Sequence, residues 1–122
     1  MEGLTSERRK RADVLLRDAQ MPALSDRTRI ECAFDAGYLY LLDVAARRGR
    51  AATVDHPSAR TLAAGFEGLE LERADRRLAT RLLRWVRRRG ECPAMPCSVD
   101  DAIRWGMSIA RSTAPRSLLG LS

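Results

Sequence analysis

Apolar residues recur along the chain at three- and four-residue intervals, the spacing that gathers side chains on one side of an α-helix. Prolines, glycines and capping residues cut the pattern into five segments. The first, about Thr5 to Ala19, carries Ala12, Leu15, Leu16 and Ala19 on one side. Pro22 closes it, because proline lacks an amide and clashes with the preceding turn. Ser25 is an N-cap for the second segment, about Asp26 to Arg48, which is the most apolar. Ile30, Phe34, Leu41 and Val44 share one face, and Cys32, Ala36, Leu39 and Ala46 fill much of another. A helix apolar on most sides is surrounded by neighbours, so this one is predicted at the centre of a bundle. Gly37 and the alanines around it permit close approach by another backbone, and Gly49 ends the helix.

The third segment places Pro57 in its first turn and spaces Ala59, Leu62, Phe66 and Leu69 at helical intervals, ending near Glu70. Gly68 is a weak stop, which leaves open whether a loop or only a kink precedes the fourth segment. That segment, about Glu72 to Arg89, divides most cleanly. Leu71, Ala74, Leu78, Ala79, Leu82, Leu83, Trp85 and Val86 take one half of the wheel. Arg73, Arg76, Arg77, Arg81, Arg84, Arg87 and Arg88 take the other. Two prolines in the stretch from Glu91 to Cys97 prevent helix. Ser98 to Asp101 then reads as a capping box, with Asp in place of the usual Glu. The fifth helix sets Val99, Ala102, Ile103, Gly106, Ile109 and Ala110 inward, bordered by Trp105 and Met107, and Pro115 ends it. The pattern predicts an all-α fold: an up-and-down bundle of four to five helices in a single domain over residues 1–122. Residues 1–4 and 114–122 are expected to be loosely ordered tails.

Composition supports helices. Of 122 residues, 45% are hydrophobic and 31% charged, and the helix formers Ala, Leu, Arg and Glu dominate. The net charge of +6 raises the question of nucleic acid, since clustered cations gain by releasing counterions from phosphates. Lys10 is the one lysine among 22 basic residues, a skew that a GC-rich genome produces, and acids are interleaved along the chain from Glu2 to Asp101. The N-terminus has no apolar core of a signal peptide. The longest apolar run, Ala36 to Ala46, is interrupted by Asp43 and falls short of the ~20 residues a membrane helix requires. Cytoplasmic location, no membrane contact and reduced thiols are the expectation.

Chemistry-bearing residues are few. Cys92 and Cys97 stand at the wide edge of zinc-ligand spacing, with only Cys32 and His56 to complete a site, so neither metal nor cofactor is expected. Asp43 lies in the apolar helix, where burial would raise its pKa unless an arginine from a neighbouring helix neutralises it. Arg73, Arg77, Arg81, Arg84 and Arg88 fall in a line suited to a phosphate backbone, and equally form an ordinary solvated face. The carboxylates make no inward pairs, and Gly65-Phe-Glu-Gly68 is too short for a phosphate loop.

The second segment, RIECAFDAGYLYLLDVAARRG, followed by a loop and DHPSARTLAAGF, resembles the HEPN (higher eukaryotes and prokaryotes nucleotide-binding) domain over about residues 12 to 88. The resemblance implies a helical bundle. Catalytic members of that family are metal-independent ribonucleases, often toxins paired with a nucleotidyltransferase-like antitoxin, and carry R-x4–6-H across a dimer. Here Arg50 precedes His56 with five residues between them. Such a histidine can move a proton at the 2′-hydroxyl while the arginine steadies the phosphorane. The family places this motif nearer the last helices, where this chain has no histidine. The leading expectation is therefore a non-catalytic HEPN-like bundle that acts by self-association, as a homodimer, or through a small protein partner. Tyr38, Tyr40, Trp105 and Met107 are read as its surplus interface residues. A ribonuclease using Arg50 and His56 on RNA is the first alternative. Non-specific nucleic-acid binding through the fourth-helix arginines is the second.

Overall fold

The computed structural model describes residues 6–49, 57–88 and 94–115, and within them every regular element is an α-helix. The helices are α1 (Glu7–Ala19), α2 (Asp26–Arg47), α3 (Ala59–Phe66), α4 (Arg73–Arg87) and α5 (Val99–Thr113). The protein is an all-α helical bundle, as the periodicity predicts.

Serine starts four of the five helices. The hydroxyls of Ser6, Ser25, Ser58 and Ser98 accept from the amides of Arg9, Thr28, Thr61 and Asp101 at 3.0–3.2 Å, each satisfying one orphan donor of a first turn. The reciprocal half of the Ser98 capping box is replaced: the Asp101 carboxylate pairs with Arg104 at 3.2 Å. Pro57 does not enter the first turn of α3. It precedes the Ser58 cap, and the helix begins at Ala59. Gly49 and Gly68 both take positive φ, +74° and +78°, where a side chain would strain the backbone. Gly68 therefore does break the chain: α3 ends at Phe66, and a connection over 67–72 separates it from α4.

As expected of the most apolar segment, α2 is central and touches each of the other four helices. Its residues Ile30, Phe34, Tyr40, Leu41 and Leu42 are fully buried, together with Leu82 of α4 and Trp105 and Ile109 of α5. Phe34 stacks on Trp105 with centroids 6.0 Å apart and planes 7° from parallel. Gly37 makes room for this ring rather than for a backbone. The close backbone approach lies one helix away, where an added Cβ on Gly65 would meet the Leu41 carbonyl at 2.9 Å.

Several arginines hold the bundle together from within. Carbonyls at helix C-termini lack intrahelical partners, and guanidinium groups supply them. Arg29 donates to the Ala19 carbonyl at 2.9 Å, Arg9 to that of Ala110 at 3.0 Å, and Arg47 to that of Thr113 at 2.9 Å. Arg9 is buried on the same face as Ala12, Leu16 and Ala19, though it is charged. Its guanidinium lies 4.6 Å from the Tyr40 ring centroid and donates to Thr113 Oγ1 at 3.0 Å. Burial pulls its pKa down, against the raising influence of Tyr40, Asp13 and Asp43. Asp43 is buried and ion-paired within its own helix, where Arg47 Nε, one turn on, lies 3.1 Å from Oδ2, and Arg9 of the neighbouring α1 adds its charge.

Candidate nucleic-acid interface

The arginine face of α4 is built by its opposite face. Leu78, Ala79, Leu82, Leu83, Trp85 and Val86 are buried, and α4 packs on α2, α3 and α5, so its apolar half is shared among three helices. Ala74, expected inside, is exposed. Trp85 is 4% exposed and meets α2 through Arg27, whose guanidinium carbon lies 5.0 Å from the ring. With one half fixed inward, Arg73, Arg77, Arg81, Arg84 and Arg87 are exposed along the helix, and Arg88 follows at its C-cap. Fifteen residues at 1.5 Å each make a row about 22 Å long. Arg76 leaves the row: it donates to the Leu69 carbonyl at 2.9 Å and covers Phe66 at 5.1 Å.

The charge of α4 is lopsided. It holds six arginines and one carboxylate, Asp75, so five of the chain's six net positive charges sit in this helix. Asp75 is turned away from the row. Its carboxylate accepts from Ser108 Oγ at 2.9 Å, and its backbone carbonyl accepts from Trp105 Nε1 at 3.0 Å. Within α4 no carboxylate therefore interrupts the row, and the exposed Glu72 stands at its N-cap. Arg73, Arg77, Arg84 and Arg87 have no ion pair among the described residues. Elsewhere α1 pairs Lys10 with Glu7 and α5 pairs Arg104 with Asp101, while Arg8, Arg11, Arg17 and Arg111 likewise have no ion pair among the described residues. Like charges one turn apart destabilise a helix by about 0.2–0.5 kcal/mol per pair, so the row is retained against a local cost. Arg84 and Arg87 recover part of it by standing at the negative end of the helix dipole.

Other candidates are occupied or lie elsewhere. A cleft of about 170 Å³ between α2 and α5 contains Arg47, Arg48 and Ser112. Its cations are committed, Arg47 to Asp43 and Thr113, and Arg48 to the Glu67 carbonyl. Cys32 and Cys97 are free thiols whose pKa values are raised by burial first and nearby carboxylates second, Arg81 pulling Cys97 the other way. Among the described residues no group of three or more His, Cys, Asp or Glu could hold a metal, and no helix is long and apolar enough to cross a membrane.

Arg50, His56 and Cys92 lie outside the described residues. Tyr38, Tyr40 and Trp105 are 4%, 1% and 1% exposed, so these supposed interface residues belong to the core of the single chain; Met107 is half-buried against it. The Tyr40 hydroxyl donates to Asp13. Comparison with known proteins adds no assignment: no family model, no curated protein and no solved structure matches this chain.

Proposed function

We propose that the protein binds nucleic acid through the outer face of α4, with Arg73, Arg77, Arg81, Arg84 and Arg87 contacting phosphates and Arg88 extending the row. One observation carries this reading: a row of exposed arginines whose only same-helix carboxylate is directed elsewhere. A merely solubilising face gains from alternating signs, because each opposite pair one turn apart stabilises the helix and each like pair destabilises it. A face that keeps one sign along its whole length is suited to a ligand carrying the other, and a phosphate backbone is the dense, linear form of that charge. No catalysis is implied, and the reading is independent of Arg50 and His56.

The test is fluorescence anisotropy with a labelled oligonucleotide at low salt. The variant carrying Arg77→Gln, Arg81→Gln and Arg84→Gln should bind at least ~10-fold more weakly, since each lost phosphate contact also forfeits its counterion release. Its melting temperature should equal or exceed wild type, because charge repulsion has been removed. Binding that is unchanged in the variant would overturn the proposal. So would stronger competition by poly-glutamate than by nucleic acid, which would point to an acidic protein instead.

A further inference from the structure

Resting on the reading of α4 as a nucleic-acid interface, we infer that its ligand is the backbone of double-stranded DNA, held without base readout. Single-strand binders add aromatic stacking to charge, at about 1–3 kcal/mol per base. The rings at α4 are withheld from that role, Trp105 by its full burial in the core. Trp85 is buried beneath the Arg27 guanidinium, and Phe66 is buried beneath Arg76. Arg27 of α2 and Arg76, which leaves the row, thus close off the stacking surfaces.

Without stacking, a single strand offers charge alone and must also be ordered on binding. A duplex presents one phosphate charge per about 1.7 Å of axis and is already rigid. The α4 backbone is anchored along its buried side, so on a duplex only the arginine side chains must be ordered. Base reading needs donor–acceptor side chains, chiefly Asn, Gln or bidentate Arg. The helix contains no Asn or Gln, and its exposed arginines run in one line along its length, an arrangement matched to successive phosphates. Thr80, its one hydroxyl, donates back to the Arg76 carbonyl at 3.4 Å. Double-stranded RNA is recognised largely across its minor groove through 2′-hydroxyls, and Thr80 is the only neutral polar side chain on α4 that could meet one. The surface is fitted to phosphates and to little else.

The experiment compares four labelled ligands with the full chain at about 50 mM salt, in the low-salt range where phosphate contacts dominate. They are two 20-base-pair DNA duplexes of unrelated sequence, one of their single strands, and an RNA duplex. The two DNA duplexes should bind within about twofold of each other, and each several-fold more tightly than the single strand. Arg73→Gln with Arg84→Gln should weaken both duplexes by the same factor. A single strand or RNA duplex that binds as tightly as DNA overturns this inference while leaving the α4 interface standing. Unequal DNA duplexes overturn the absence of base readout. Failure of all four ligands to bind removes the interface itself.

Discussion

Gly37 offers the sharpest probe of the core, because its absent side chain is what seats Trp105. A Cβ at position 37 would stand 2.3 and 2.4 Å from Trp105 Cζ3 and Cη2, and 3.2 Å from Cε3. Carbon atoms prefer about 3.5–4.0 Å, so ring or helix must shift by more than an ångström. The ring has nowhere to go. It is 1% exposed, stacked on Phe34, and tied through Nε1 to the Asp75 carbonyl. Overpacking of this kind costs about 1–3 kcal/mol, and displacing the indole from Asp75 adds about 1 kcal/mol or more. Replacing a mid-helix glycine by alanine returns about 1 kcal/mol. The clash wins, and Gly37→Ala should destabilise by roughly 2 kcal/mol, lowering Tm by about 5–10 °C for a chain of this size. Gly106→Ala is the control. Its nearest neighbour is Leu16 Cδ1 at 2.9 Å, the end of a flexible side chain, so its change should stay within about 0.5 kcal/mol. Urea and thermal unfolding followed by circular dichroism measure both. Gly37→Ala as stable as wild type would refute the seating of Trp105 against α2.

Three further outcomes follow from the same packing. Arg9→Ala should cost about 2–3 kcal/mol in urea unfolding, because Thr113 and Ala110 lose a buried charged donor, whereas Arg8→Ala on the exposed side should be nearly silent. Trp85→Ala should cost about 3–5 kcal/mol, while Trp85→Phe should cost markedly less, since the buried indole N–H has no acceptor to lose. Burial, then the hydrogen bond and charge of Asp13, raise the Tyr40 pKa well above its usual value, against the opposing pull of Arg9. The folded state thus keeps a proton that the unfolded chain releases near pH 10. Stability from this group is complete below that pH and declines as pH rises above it. Tyr40→Phe should flatten the fall of Tm between about pH 10 and 11, and an unchanged slope would rule out the tyrosine as its source.

Much of this fold is legible in one-dimensional periodicity, because helices bury a stripe and the stripe recurs every three to four residues. The central place of α2, the buried half of α4 and the Ser25 and Ser98 caps are all visible that way. What escapes the pattern has physical causes. A charged Arg9 looks like a surface residue, yet its long side chain satisfies the Ala110 carbonyl, 101 residues away, and covers Tyr40 of α2, contacts that only the tertiary fold sets. Trp105 and the two tyrosines read as surplus because volume alone does not show which glycine opens a seat for a ring. The α4 stripe itself is visible in the sequence, but its meaning is not. In the sequence Asp75 dilutes the charge of this stretch, and only the fold shows its carboxylate turned to Ser108 of α5.

The central claim is that the α4 row engages phosphates, and the salt dependence of DNA binding tests it most directly. Each neutralised phosphate contributes about −0.9 to the slope of log K against log salt. The five exposed arginines of the helix therefore predict a slope of about −4 to −5 for wild type. Loss of three of them in the Arg77→Gln, Arg81→Gln, Arg84→Gln variant should reduce it to about −2. A wild-type slope shallower than about −1, or one that the triple variant leaves unchanged, would contradict the account.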